Sequence, residues 1–394
     1  MAHLLALDEA SPFWSIYASH RSARLSRACD HPFGEDFSMS QTNTFGGAGP
    51  VRAGHELPVQ RLSAWLHQQA PEVRGPIDIR QFNGGQSNPT YRLDTPGKSY
   101  VLRRKPRGPV LKGAHAVERE HRVISALHAG GFPVPAPLIL CEDEAVIGST
   151  FMVMEMVEGR IFWTPTLPEL TPDQRAAHFD ALNATIARLH SLDIQALGLE
   201  DYGRPVAFFA RQIQRWSRQY QEDDLAGRDP NMDRLVAWLP ENMPEDDGAA
   251  CVVHGDFRAD NLIFAPDSAE VRAVLDWELS TLGHPMSDFT YHLMMYRLPP
   301  SMIGGFAGAD LKALGVPSEA DYLAAYCDRV DRAPPTADEL RFYMAFNMFR
   351  LAAIFHGIKG RIARGTAASA HAHTMADNLP ALAALAWGQT ETTS

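Results

Sequence analysis

Cysteine is scarce in this chain, with four in 394 residues (Cys29, Cys141, Cys251 and Cys327), far apart and with no C-x-x-C pair. That spacing argues against a disulfide framework and for a reducing compartment. Positive charge is also in deficit: 36 Lys and Arg stand against 47 Asp and Glu, a net charge of −11. Nucleic acid is therefore not the expected partner, because phosphate backbones need a concentrated basic face. Long apolar runs are missing too. The best stretch, Phe342 to Phe355, is broken by Asn347 and Arg350 and is too short to cross a bilayer. Asp8 and Glu9 interrupt the apolar start, so the N-terminus does not read as a secretion signal, and a cytoplasmic protein is expected. What remains is ordinary globular composition, 45% apolar and 21% charged, in a chain long enough for two or three lobes.

Residues 1–55 lack sustained periodicity and end in the Gly-rich Phe45-Gly-Gly-Ala-Gly-Pro50; a poorly ordered tail is expected, with Met39 as an alternative start. From residue 56 to 157 the pattern is globular and mixed. A helix is expected over Val59–Gln69, and strands over Ile77–Phe82, around Tyr91 and over Tyr100–Lys105. A helix from about His115 to Ala129 closes at Gly130-Gly131, and Phe151–Val157 reads as a buried strand. Residues 158–394 are mostly helical. Thr171-Pro-Asp-Gln174 is a capping-box start, further helices follow near 205–221, 230–239, 320–330, 336–358 and 370–387, and a short β interruption lies at Val252 and Val271. The expected fold is α+β and bilobal: a small antiparallel-sheet lobe joined to a larger helical one.

The strongest motif is His254-Gly-Asp-Phe-Arg-Ala-Asp-Asn261, followed fifteen residues later by Asp276 in Leu275-Asp-Trp277. A carboxylate, an amide five residues on and a second carboxylate after a strand are what phosphoryl transfer needs: a base for a hydroxyl and hard oxygen ligands for Mg²⁺ on the phosphates. Asp256 is the expected base, and Asn261 and Asp276 the expected metal ligands. His254 is expected to support the loop by hydrogen bonding, and Asp288 to brace it.

In the first lobe, Gly84-Gly85-Gln86-Ser87 lies between two strand-like runs, where backbone N–H groups can approach a phosphate. The spacing is not G-x-G-x-x-G, and an ordinary hairpin turn is the plainer reading. Ser87 is the candidate side-chain donor, and Arg103 follows on a later strand, where a phosphate-gripping cation belongs. At 100° per residue, Val117, Ile124 and Leu127 share a helix face with Glu120, while Glu118 points to the solvated side. A carboxylate on the buried face needs a cation. Arg103 is the first choice and Lys105 the second, two residues along the same strand face.

These residues resemble the aminoglycoside phosphotransferase (phosphotransferase enzyme) family of protein-kinase-like folds, over roughly residues 75–365. More narrowly, Phe82-Asn-Gly-Gly-Gln-Ser-Asn-Pro-Thr-Tyr91, Tyr100-Val-Leu-Arg-Arg-Lys-Pro106, Gly113-Ala-His-Ala-Val-Glu-Arg-Glu120 and Phe349-Arg-Leu-Ala-Ala-Ile-Phe-His-Gly357 resemble one subgroup. It comprises the kinase-like halves fused to certain acyl-CoA dehydrogenases and their free-standing bacterial relatives. The resemblance implies an active kinase that uses ATP and Mg²⁺, holds adenine by backbone groups around Glu155 to Val157, and acts on a hydroxyacyl-CoA. It also implies a pathway link to an acyl-CoA dehydrogenase. An antibiotic phosphotransferase acting on an aminoglycoside or macrolide, and a nucleotide-binding module without turnover, are the alternatives. The strand cation is Arg103 where most kinases place lysine; it is always charged and forks onto phosphate oxygens.

From Arg341 to Ala376 there are five basic residues and no acidic ones. Such an excess would repel a polycation and attract the phosphates of coenzyme A, so Arg350, Lys359 and Arg361 are candidate acceptor contacts; cations decorating a helix C-terminus are the plainer reading. Phe342, Phe346, Phe349 and Phe355 are expected in the core. His371 and His373 lack further ligands for a metal, and Glu278 either reaches the metal shell or caps a turn. Only eleven residues separate Asp276 from Asp288, little room for an activation segment, and Gly283-His-Pro285 reads as a turn.

Overall fold

A computed structural model of the chain describes residues 47–82, 88–106, 116–302, 304–366 and 372–391. They form two compact units: residues 47–125 with 135–157, and residues 126–134 with 158–391.

The first unit is built on a sheet of order β1-β2-β3-β4-β6-β5, antiparallel throughout. Its strands are β1 (Ala48–Gly49), β2 (Asp78–Phe82), β3 (Thr90–Asp94), β4 (Ser99–Arg104), β5 (Pro137–Cys141) and β6 (Phe151–Glu155). Period-two burial drives this: Tyr91 and Leu93, Tyr100 and Leu102, and Phe151 and Val153 turn inward. Helix α1 (Val59–Gln69) adds Leu62 and Leu66 to that core, and the short helical segment Glu144–Ile147 adds Val146 and Ile147. Helix α2 (Val117–Ala129) closes the set, and the short segment is α3.

One expectation changes here. Residues 47–55, assigned to the tail, dock on the sheet: β1 pairs with β2, and the N–H of Arg52 donates to Gln81 Oε1 at 3.0 Å. Backbone pairing of so short a segment leaves no periodic signal to read. After Pro133 the chain forms β5, where Pro137 is tolerated because β5 is an edge strand.

The second unit is mostly helical: α4 (Pro172–His190), α5 (Phe208–Glu222), α6 (Pro230–Glu241), α7 (Pro285–Leu293), α8 (Leu311–Leu314), α9 (Glu319–Arg329), α10 (Ala337–Ala363) and α11 (Ala372–Gly388). The capping box of α4 forms as read, with Thr171 Oγ1 accepting from Gln174 N and Gln174 accepting from Thr171 N. Helix α10, 27 residues long, is its spine, and Phe342, Phe346, Phe349 and Phe355 are all buried along it. No helix among the described residues is long and apolar enough to cross a membrane.

Two small β pairs interrupt the helices. Strand β7 (Cys251–Val253) pairs with β10 (Thr281–Gly283), and β8 (Leu262–Phe264) pairs with β9 (Val271–Val274), all antiparallel. The expected turn at Gly283-His-Pro285 is the start of α7: His284 caps it through Nδ1, and Pro285 takes the first position, where its missing N–H costs nothing.

Candidate active site

The loop between β7 and β8 carries the HGD-x-x-x-x-N motif, and its backbone is held at several points. Asp288 on α7 accepts the N–H of His254 at 2.7 Å and of Gly255 at 2.8 Å, one on each carboxylate oxygen. Burial would raise the Asp288 carboxyl, but the His190 hydrogen bond, the two neighbouring imidazoles and the backbone donor hold it below the usual range. Gly255 has φ +87°, and a Cβ there would sit 2.8 Å from the Leu279 carbonyl oxygen, so both conformation and space demand glycine.

His254 is fully buried and bridges two segments. Its Nδ1 accepts the Asp256 N–H at 3.2 Å and its Nε2 lies 2.8 Å from the Leu275 carbonyl. A backbone N–H can only donate and a carbonyl only accept, so the ring is the Nε2–H tautomer and acts as a strut, as expected. The ring packs on Trp277, with centroids 4.8 Å apart.

Asn261 and Asp276 are brought together by the β8–β9 hairpin. Leu262 lies opposite Val274, and just beyond that pair Leu275 N donates to the Asn261 carbonyl at 2.8 Å. Asn261 Nδ2 donates to the Asp256 carbonyl at 2.9 Å and reaches its Oδ2 at 3.3 Å, so the amide oxygen is the atom left to ligate a cation. Asp276 adopts φ 63°, a left-handed conformation uncommon outside glycine, at the head of the single turn Trp277–Leu279. An amide oxygen and a carboxylate are hard donors that suit Mg²⁺ shared with phosphate oxygens. Among the described residues no three His, Cys, Asp or Glu side chains cluster to hold a metal by themselves. Glu278 is half-buried within that single turn.

Asp256 sits among several charged and polar groups. Tyr291 donates its hydroxyl to Oδ1 at 2.8 Å, and Arg258 Nε lies 3.5 Å from the same oxygen. Arg258 also grips Asp260 at 2.8 Å. Burial pushes the Asp260 carboxyl up to about 6; Arg258 opposes the rise and Asp256 adds to it. Tyr291 is pushed well above its ordinary value by burial and by the adjacent Asp256.

In the first unit, Arg103 Nε lies 2.9 Å from Glu120 Oε2, with both side chains largely buried. Lys105 pairs instead with Glu118 at 2.8 Å, so Glu118, read as solvated, also has a partner. Glu155 ends β6, where Lys98 reaches it at 3.1 Å and its N–H donates to Ala136; Val157 follows, half-buried. Gly84, Gly85 and Ser87 lie outside the described residues.

The basic run does not form an open cationic face. Arg341 pairs with Asp338, Arg364 with Asp223 through two bonds of 2.8 and 2.9 Å, and Arg350 donates to the Gly255 carbonyl at 2.8 Å. Asp338 and Asp223 lie outside the window in which the excess was counted, which is why a local count overstated it. Lys359 is exposed and Arg361 half-buried on α10. His371 lies outside the described residues. Sequence reading missed Tyr291, His190 and the placement of Arg350; only the three-residue spacing of Asp288 and Tyr291 on one helix hinted at the first.

Comparison with known proteins gives a consistent picture. The family described as Phosphotransferase enzyme family matches residues 78–326. Mouse acyl-CoA dehydrogenase family member 10 is 42% identical over 341 residues, covering 86% of this chain but 32% of that protein. The chain thus spans less than half the length of such curated relatives. A crystal structure from Ralstonia eutropha, provisionally assigned as an aminoglycoside phosphotransferase, is 46% identical with a TM-score of 0.79 and covers 85% of this chain and 98% of its own. Spectinomycin phosphotransferase, solved with ADP and spectinomycin, shares the fold at 15% identity and a TM-score of 0.54, over 84% of this chain and 98% of that one.

Proposed function

This chain belongs to the phosphotransferase enzyme family, and from that premise we propose that it moves the γ-phosphoryl group of ATP onto a hydroxyl of a small-molecule acceptor. The carrying observation is the convergence of Asp256, Asn261 and the Asp276 segment on one rigid loop pair. Asp256 orients the acceptor hydroxyl and takes its proton as the new O–P bond forms and the bond to the β-phosphate oxygen breaks, releasing ADP. Asn261 and Asp276 would hold Mg²⁺, which supplies charge neutralisation on the phosphates. Arg103, held by Glu120, contributes a fixed cation for the α/β-phosphates, with Gly84, Gly85 and Ser87 as further phosphate donors and the Glu155–Val157 backbone for adenine.

For the acceptor we favour a hydroxyacyl-CoA, which the acyl-CoA dehydrogenase names of the curated relatives support. An acyl-CoA dehydrogenase is then the expected pathway neighbour. Lys359 and Arg361 on α10, with Arg350 turned toward the catalytic loop, are the candidate contacts for coenzyme A phosphates. An antibiotic acceptor is the second reading, favoured by the Ralstonia eutropha relative.

The test is mass spectrometry of products from Mg²⁺-ATP and a panel of 3- and 4-hydroxyacyl-CoAs, kanamycin, erythromycin and choline. A phosphorylated hydroxyacyl-CoA is expected. A product from an antibiotic alone would overturn the acceptor assignment, and no product from any acceptor despite bound ATP would favour a nucleotide-binding module.

A further inference from the structure

We propose that Tyr291 and Arg350 are positioning residues that decide which oxygen of Asp256 meets the acceptor hydroxyl. This rests on the reading of Asp256 as the base. Oδ1 accepts from the Tyr291 hydroxyl at 2.8 Å and has Arg258 Nε at 3.5 Å, whereas Oδ2 has only the long 3.3 Å approach of Asn261 Nδ2 among the bonds described. A carboxylate oxygen whose lone pairs serve a hydroxyl and a guanidinium is the poorer proton acceptor. Oδ2 is therefore the reacting oxygen, and Tyr291 sets the angle at which it is presented.

Arg350 completes the arrangement from α10. Its guanidinium carbon lies 5.1 Å over the Tyr291 ring, and its Nη2 donates to the Gly255 carbonyl at 2.8 Å. The peptide joining Gly255 to Asp256 is thus held at both ends, its carbonyl by Arg350 and its N–H by His254 Nδ1. One helix, α7, braces the loop backbone through Asp288 and the base itself through Tyr291, three residues apart on the same face.

A plainer reading is that a buried tyrosine hydroxyl merely found an acceptor. Two measurements on the full chain separate the readings. Crystal structures come first because they need no acceptor. In Tyr291→Phe the fold and the bonds from Asp288 to His254 and Gly255 stay, and the Asp256 carboxylate rotates; an unmoved carboxylate overturns the proposal. In steady-state ADP release with Mg²⁺-ATP and the acceptor panel, Tyr291→Phe lowers kcat about tenfold, the worth of one hydrogen bond to a charged group, with KM for ATP unchanged. That loss disappears in an Asp256→Ala background. The same fold-loss in both backgrounds, or a change in KM alone, overturns it. Arg350→Ala lowers kcat likewise and Arg350→Lys restores part of it, whereas wild-type kcat in Arg350→Ala overturns the role of Arg350. Should the wild-type chain transfer phosphate to nothing in the panel, the base reading fails, and the Tyr291→Phe crystal structure still decides whether Tyr291 sets the carboxylate.

Discussion

The backbone N–H of Leu275 donates to the Asn261 carbonyl oxygen at 2.8 Å, and this bond sets Asp276 beside the end of the HGD-x-x-x-x-N loop. The Leu275 carbonyl is held as well, by His254 Nε2 at 2.8 Å. Both ends of one residue therefore tie the second carboxylate to the loop that carries the first.

If Asn261 and Asp276 form a cation site, removing one ligand changes the metal dependence before it changes the fold. Asp276→Ala should raise the Mg²⁺ concentration needed for half-maximal ADP release by at least about tenfold, the scale of one lost interaction with a charged group. An Mg²⁺ titration identical to wild type would contradict the assignment.

The Arg103–Glu120 pair makes a prediction about stability that is separate from activity. Truncating one member leaves the other buried without its counter-ion, which costs about 3–5 kcal/mol. Glu120→Leu alone should therefore lower stability to urea sharply, and adding Arg103→Met should recover most of it while ATP affinity stays weak. Equal stability of the single and double variants would show that the pair is not coupled.

Gly255 offers a local test. At φ +87°, with the Leu279 carbonyl 2.8 Å from any added Cβ, Gly255→Ala must strain the backbone just before Asp256. A stability loss of about 1–3 kcal/mol in urea unfolding is expected, together with a larger proportional loss in kcat. Unchanged kcat would mean that the loop geometry is not what catalysis depends on.

Burial lowers His284 to about 4, against the opposing pull of Asp247, and lowers His292 to about 4. Both rings thus stay neutral in the fold at pH values where an unfolded chain, with histidines near 6.5, already takes up protons. Stability is fully present above about pH 6.5 and falls as pH drops toward 4, by about 1.4 kcal/mol per pH unit per histidine. Urea unfolding across that range should show this slope, and His292→Phe should remove about one proton from it; an unaltered slope in the variant would count against it.

How much of this was legible beforehand follows from which interactions are local. That Asp256, Asn261 and the Asp276 segment lie together could be read because phosphoryl transfer, the chemistry expected from the motif, needs those residue types at short linear spacing. Glu120 could be read because helix periodicity put it on the apolar face, and Arg103 because a buried carboxylate needs a cation; their ion pair is present at 2.9 Å. Thr171 declared its helix through a four-residue cap. Tyr291 could not be read, because its bond to Asp256 joins residues 35 apart through the packing of α7 on the loop. Arg364 and Asp223, 141 residues apart, defeated the count of basic residues for the same reason. Helix α7 itself was hidden by Gly283 and Pro285, which mark a turn and a helix start equally well.

The most direct measurement is kcat for ADP release by wild type and Asp256→Ala, with the Kd for ATP measured separately on both proteins. With Asp256 as the base, kcat falls by about 10² to 10⁴, the range for losing a general base, while the Kd for ATP stays within a few-fold. Near-normal turnover in Asp256→Ala would contradict the role of Asp256 as the base, whatever the acceptor.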